Sequence, residues 1–306
     1  MISGNTALIG LLGQPVSHSL SPVMHNAALA AMELDWCYLA LPCETNQLRS
    51  VLDGLRAVNC RGLNITIPHK ETVANLCNKR SQIAERLGAV NTLVPNEDNT
   101  WIGTNTDVAG FLAPLKNLGR NWKQNNAVVL GCGGSARAVV AGLQDLNLAK
   151  ITVVGRRLES LNRFLQDLNQ FHEAKNDIVG LPPQSELNGA LHKQFDLDTL
   201  IHEAHLVVNT TPVGMNNNSN SPQAGSDMPL DQETWHNLKP GTILYDLIYN
   251  PRPTPWLSWG MQEGFECIDG LEMLIQQGAA SLKLWTGRND VPINQMRTAA
   301  ESWLKH

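Results

Sequence analysis

The sequence predicts an α/β protein of two domains, and three observations lead there. Short β-like runs alternate with helical patterns nearly throughout, the rhythm of a parallel sheet covered by helices. A second such series starts afresh near Asn126. And 306 residues exceed what a single hydrophobic core usually serves.

The elements follow in order. "TALIGLLG" predicts a first strand from Ala7 to Leu12, ending at a Gly-Gln-Pro turn. "SPVMHNAALAAMEL" predicts a helix, with Ser21 as N-cap and Pro22 at the first helical position. Capping would account for Ser21 but not for Ser19; two hydroxyls beside a helix start also suit a carboxylate. The strand "WCYLALPC" and the helix "TNQLRSVLDGLRAV" come next. In "LNITIPHKE", Leu63, Ile65 and Ile67 share one face of a strand and Asn64 and Thr66 the other, with Lys70 just beyond a Pro-His-Lys turn. Asn is a poor strand former, so that second face is either wet or holds something polar. Asn91 interrupts another strand-like run, "GAVNTLV", and Asp107 in "GTNTDVAGFLAPL" stands where a helix N-cap would.

In the second series, "NAVVLG", "KITVVG", "HLVVNTTP" and "GTILYDLIYNP" predict strands, with helices through Leu146 and over Leu158 to Asn169. "GLPPQSELNG" and "MNNNSNSPQAGSDMP" predict loops. The closing helix, "GLEMLIQQGAASLKLWTG", puts Met273, Gln277, Ala280 and Leu284 on one stripe, so Gln277 interrupts an apolar face. An inward polar group needs a partner, in the protein or in a ligand.

Composition narrows the function. Hydrophobic residues make up 42% and charged residues 17%, with a net charge of -5, which suits a soluble globular protein and argues against nucleic acid. No apolar run of about 18 residues predicts a membrane span, and the N-terminus lacks the pattern of a signal peptide. The scattered Cys37, Cys43, Cys60, Cys77, Cys132 and Cys267 contain no C-x-x-C pair, which predicts reduced thiols in the cytoplasm. His202 and His205 lack metalloprotease spacing, and no metal is expected.

The strongest motif is "AVVLGCGGSARAVVAGL". Gly131-x-Gly133-x-x-Ala136 follows an apolar strand and opens a helix, the context of a dinucleotide fingerprint in a Rossmann-like domain. Gly131 permits the tight turn, Gly133 lets the backbone approach a pyrophosphate, and Ala136 allows close packing. Cys132 inside the loop reads as a small residue that fits, or as a thiol activated by the helix N-terminus. The next strand ends in Gly155-Arg156-Arg157, where an NAD site would carry an acid. An arginine pair suits a 2′-phosphate, which predicts NADP.

Taken together, the stretches resemble the shikimate dehydrogenase family over essentially the whole chain. "SHSLSP", "NITIPHK", "GAVNTL", "GTNTD", "GCGGSAR", "YDLIYNPRPTPWL" and "GLEMLIQQGA" match its motifs in order. The resemblance implies reversible, NADPH-dependent reduction of 3-dehydroshikimate to shikimate, on the route to aromatic amino acids. It implies Lys70 and Asp107 as the catalytic pair, Ser19 and Ser21 on the substrate carboxylate, and Asn64, Thr66, Asn91, Tyr249 and Gln277 around the ring hydroxyls. Gly131, Gly133, Gly134, Ser135, Arg156 and Arg157 would hold the cofactor phosphates, with Cys132 and Gly155 in the same two turns, and Leu247 and Gly270 would line the nicotinamide end. Residues 1–106 plus 271–306 would form the substrate-binding domain and 107–270 the NADP-binding domain, with a closable cleft between them. The chain departs from the family at Gly155-Arg156-Arg157, commonly Asn-Arg-Thr, and at Asn209-Thr210-Thr211, commonly Asn-Ala-Thr. Ser21 and the missing acid favour shikimate over quinate. A broader quinate/shikimate dehydrogenase and a non-catalytic NADP-binding sensor are the alternatives. Assembly as monomer or homodimer stays open.

Overall fold

The computed structural model describes residues 2–171, 177–181, 197–215, 228–230 and 232–305. The two expected loops, 180–189 and 215–229, lie mostly outside them. The chain divides into two compact units, Met1–Ala113 with Glu272–His306, and Pro114–Leu271. The sequence set the first boundary before Asp107; the division instead falls inside a helix, α5 (Asp107–Asn117), just before its internal Pro114. Asp107 therefore goes with the first unit.

In that unit, β1 (Ala7–Gly13), α1 (Ser21–Ala31), β2 (Trp36–Pro42), α2 (Leu48–Ala57) and β3 (Gly62–Ile65) alternate as expected. They are followed by α3 (Lys70–Leu76), β4 (Lys79–Arg80), α4 (Gln82–Leu87), β5 (Thr92–Pro95) and β6 (Trp101–Thr104). The sheet order is β2-β1-β3-β5-β6-β4. It is mixed, not parallel throughout: β5 runs antiparallel to both β3 and β6. The reason is local. Only residues 96–100 join β5 to β6, closed by Asn96 and Thr100 and by the Asp98 carboxylate, and so short a link can only return antiparallel. Leu12, Leu48, Leu52, Leu63, Ile65, Val73, Leu93 and Trp101 form a core beside this sheet.

The second unit holds β7 (Asn126–Leu130), α6 (Gly134–Asp145), β8 (Lys150–Val154), α7 (Leu158–Phe171), β9 (Asp177–Leu181), α8 (Leu197–Glu203) and β10 (Leu206–Asn209). After these come α9 (Gln232–Trp235), β11 (Ile243–Asp246), α10 (Pro255–Gln262) and β12 (Glu266–Ile268). Its sheet is wholly parallel, in the order β12-β11-β10-β7-β8-β9. Read in chain order this is the doubly wound Rossmann arrangement, which reverses beside its first strand. The unbroken apolar runs of β7, β10 and β11 are buried along their length, as central parallel strands require. Ala136, Ala138 and Ala141 let α6 lie close on the sheet.

Two helices close the chain, α11 (Gly270–Thr286) and α12 (Ile293–Trp303), and α12 packs on α1. The expected stripe on α11 is only half right. Met273 and Gln277 are buried, but Leu284 is 47% exposed; Leu271, Ile275, Ala279, Ser281, Leu282 and Trp285 are buried as well. A broad face fits a helix that buries more than one side.

Candidate functional site

In the first unit a lysine and an aspartate meet. Lys70 opens α3 and Asp107 opens α5, and Lys70 Nζ donates to Asp107 Oδ2 at 2.6 Å. Their side chains are 14% and 7% exposed. Asp107 is not the N-cap the sequence suggested: it is helical, and its carboxylate points to Lys70 and Asn91 instead of back to its own helix. Asn105 accepts from the Asp107 N–H at 2.9 Å and so shapes the turn.

Behind the pair lies a buried polar network. Asn91 Nδ2 donates to Asp107 Oδ1 at 2.6 Å, with Gln277 Oε1 at 3.4 Å. Asn91 Oδ1 accepts from the Thr106 N–H at 2.8 Å and from the Thr92 hydroxyl at 2.9 Å. Asn64 Nδ2 donates to Ser281 Oγ at 2.9 Å, and its Oδ1 accepts from the Tyr38 hydroxyl at 2.9 Å. The polar face of the "LNITI" stretch is therefore not wet; protein groups take up the Asn64 amide. The strand stops at Ile65, and Ile67 is 67% exposed, so it does not share the buried face with Leu63 and Ile65. The turn at His69 redirects the chain there, held by the His69 N–H on Thr66 O at 2.9 Å. Thr66 sits against Gly13, where any Cβ would meet its methyl, and its hydroxyl has no partner among the described residues.

At the start of α1, Ser21 is the first helical residue and Leu20 the cap, a correction to the expected Ser21 cap. Ser19 supplies the local support, its hydroxyl accepting from the Ser21 N–H at 3.2 Å. Burial pushes the Tyr38 hydroxyl well above the ordinary tyrosine range. His25 stacks on Tyr38 with ring centroids 4.1 Å apart, and its Nδ1 meets Ser21 O at 2.8 Å. Burial pushes His25 down to about 4, so the ring is neutral at physiological pH. Spacing alone missed Tyr38, Thr92, Thr106 and Ser281. Ser281 had a signal, lying one turn after Gln277 on the same helix.

In the second unit the Gly-rich turn has the predicted form. Gly131 adopts φ +104, and a Cβ there would meet Thr210 Oγ1 at 2.6 Å. Gly133 caps α6 and is exposed, with no protein atom within 4 Å of where its Cβ would be. Gly134 and Ser135 open the helix, whose free N–H groups suit an anion. A Cβ on Gly155 would meet Leu161 and Cys132. Arg156 and Arg157 are exposed and have no ion-pair partner among the described residues. Arg137 is spoken for: buried, it pairs with Asp167 and lies over the Phe164 ring. The Cys132 thiol is pushed up by burial, against the nearby Arg157 and Arg137, so the activated-thiol reading fails. Leu247 and Gly270 touch: a Cβ on Gly270 would fall 2.0 Å from Leu247 O. Tyr249 follows, half-buried. Open space at Gly133, a helix N-terminus and two unpaired arginines fit a dinucleotide with a 2′-phosphate. All six cysteines are free, the described residues contain no metal-binding cluster, and no helix among them is long and apolar enough to cross a membrane.

A mixed-sheet unit holding a lysine–aspartate pair, followed in the chain by a Rossmann sheet with a Gly-rich turn, defines a two-domain α/β protein of the dinucleotide-binding class. Comparison with known proteins narrows this. The model of the shikimate dehydrogenase substrate binding domain matches residues 11–93, and that of the shikimate 5′-dehydrogenase C-terminal domain matches residues 270–301. A shikimate dehydrogenase (NADP(+)) of Prochlorococcus marinus (strain MIT 9215) is 46% identical, over 99% of this chain and 100% of its own. A shikimate dehydrogenase crystallised with NADP+ superposes with a TM-score of 0.84 at 31% identity, covering 99% of this chain and 98% of that one. Shikimate 5-dehydrogenase of Thermus thermophilus, in complex with NADP(H) and shikimate, gives 0.79 at 31% identity, covering 97% and 99%. The chain belongs to the shikimate dehydrogenase family.

Proposed function

We propose that the protein catalyses the reversible, NADPH-dependent reduction of 3-dehydroshikimate to shikimate, on the route to aromatic amino acids. The observation that carries the reading is the Lys70–Asp107 pair, 2.6 Å apart and largely withdrawn from water, in the unit matched by the substrate-binding model. NADPH, when bound, supplies the hydride. The chain must then stabilise negative charge on the former carbonyl oxygen and give it a proton. Lys70 is the donor in this reading: one of its three N–H bonds goes to Asp107, leaving others for the substrate oxygen. Asp107 keeps the ammonium aimed. Positioned groups of this kind contribute about 10²–10⁴-fold.

Ser19 and Ser21 would take the substrate carboxylate, and Thr66, with its unshared hydroxyl, a ring hydroxyl. Asn91, Gln277 and Tyr249 complete the ring contacts. Asn64 supports from behind, since its amide is engaged with Tyr38 and Ser281. Gly131, Cys132, Gly133, Gly134 and Ser135 would cradle the pyrophosphate, and Gly155, Arg156 and Arg157 the adenosine end with its 2′-phosphate. Free cysteines fit a cytoplasmic home. One experiment tests the reading: reduction of NADP+ and of NAD+ with shikimate and with quinate. Turnover of shikimate with NADP+ well above the other three pairs is expected. Equal use of quinate would favour the broader enzyme, and no turnover with either substrate would favour a sensor.

A further inference from the structure

Asp246 ends β11 and is fully buried, yet no expected role involves it. Its carboxylate gathers three segments. Oδ1 accepts from the Ile248 N–H at 3.1 Å and from Asn209 Nδ2 at 3.0 Å; Oδ2 accepts from the Thr254 hydroxyl at 2.8 Å. Asn209 ends β10, and its Oδ1 accepts from the Thr211 N–H at 3.0 Å and the Thr211 hydroxyl at 2.7 Å. Thr254 caps α10. The stretch after Asp246 is pinned on both sides: the Leu247 N–H donates to Asn209 O and the Gly270 N–H to Ile248 O, each at 3.0 Å. The Gly270 backbone lies so close to Leu247 O that a Cβ there would fall 2.0 Å from it, so only glycine lets the two segments pack this way.

These bonds cluster at the carboxyl ends of β10 and β11, where doubly wound sheets bind their ligands. A Rossmann sheet takes one mononucleotide on each half. Arg156 and the Gly-rich turn lie on the β7–β9 half, so β10–β12 is left for the nicotinamide half. We propose that Asp246 is a positioning residue that sets the main chain of Leu247 to Tyr249 at the nicotinamide end of the cofactor site. This rests on the NADP reading above.

The test is calorimetric binding of NADP+ and of 2′,5′-ADP, which lacks the nicotinamide half, to the full-length chain. Asp246→Ala should weaken NADP+ roughly tenfold or more, because Asn209 Nδ2 and the Ile248 N–H lose their acceptor. Binding of 2′,5′-ADP should change less than about twofold. Asp246→Asn should restore most of the loss, since its amide oxygen keeps both Oδ1 bonds and Thr254 can turn its hydroxyl to accept. If the alanine variant does not fold, Asn209→Ala removes the side-chain bond from β10 to Asp246, together with the Thr211 bonds, and leaves the main-chain bond to Leu247; it should show the same selective loss, smaller in size. Unchanged NADP+ affinity in a folded variant, or parallel loss of both ligands, overturns the inference. Wild-type protein that binds neither ligand overturns the cofactor reading, and this inference with it.

Discussion

Removing one charge of the Lys70–Asp107 pair should cost more stability than removing both. The pair lies 2.6 Å apart, with side chains 14% and 7% exposed. At an effective dielectric of about 20, unit charges 4 Å apart attract by about 4 kcal/mol, and desolvation takes back much of that. Asp107→Asn keeps the shape but strands the ammonium; Lys70→Met strands the carboxylate, with only Asn91 among the described residues still donating to its side chain. Breaking a buried pair costs about 3–5 kcal/mol. The low end applies here, because Lys70 keeps some contact with water. Each single variant should then lose about 3 kcal/mol, whereas the double variant strands nothing and should lose no more than either single. The coupling, about 3 kcal/mol or more, is read from a double-mutant cycle by urea unfolding at pH 7. Amide exchange in β3 and β5 reports the first unit by itself. Losses that add to within about 0.5 kcal/mol would refute the reasoning, since they would mean that water already screens the pair. Activity should part from stability: all three variants should lose about 10²–10⁴-fold in kcat.

Arg156→Ala should raise the KM for NADPH by tenfold or more and leave that for NADH nearly unchanged, because a charge-assisted bond to the 2′-phosphate contributes about 1.5–3 kcal/mol. Equal effects on both cofactors would sink the assignment. His25 should give stability a pH dependence. Unfolded, it protonates near 6.5; buried, near 4, so between those values only the unfolded chain takes up the proton and stability rises with pH. The gap corresponds to roughly 3 kcal/mol. Asp246 works in the opposite direction over nearly the same range: burial pushes its carboxyl up to about 6 from 3.8, so stability from this group falls as pH rises from about 4 to 6. Comparing wild type with His25→Gln and with Asp246→Asn, unfolded at pH 4 and pH 6.5, should give pH-dependent differences of opposite sign; differences of the same sign would refute both burial arguments.

The nucleotide unit was the more legible. Its strand-turn-helix punctuation is local, and Gly131, Gly133 and Ala136 announce their spacing within six positions. The first unit was harder because its site is assembled from distant segments. Asn64 and Ser281 are bonded across the unit, and no periodicity relates them. Periodicity marked Asn64, Asn91 and Gln277 as polar residues on apolar elements, but could not say whether their partner was ligand or protein. For Asn64 the partner is protein. The mixed sheet escaped notice because strand direction depends on the link after each strand, and the residue 96–100 hairpin was not read as one. The expected caps at Ser21 and Asp107 shifted by one position for a related reason. Leu20 and Thr106 can precede a helix without a capping side chain because Ser19 and Asn105, each two residues before the first helical N–H, accept from it, while tertiary bonds hold the Asp107 carboxylate.

Those tertiary bonds bear on mechanism as well as fold. A carboxylate as buried as Asp107 costs several kcal/mol in desolvation unless its oxygens are satisfied. Asn91 occupies Oδ1 and Lys70 occupies Oδ2, and Asn91 is itself held by Thr106 and Thr92, which lie on the chain leading into α5 and on β5. Asn91 carries no charge and cannot take the proton, so among the described residues the ion pair is the only place on Asp107 where charge is balanced. The lysine is thus aimed by a carboxylate that has no freedom to turn away. Orientation of this kind is set at folding and costs nothing at the moment of reaction, which is how fixed dipoles and charges lower a barrier. It follows that Asn91→Ala should act on kcat through Asp107, even where it also removes a ring contact.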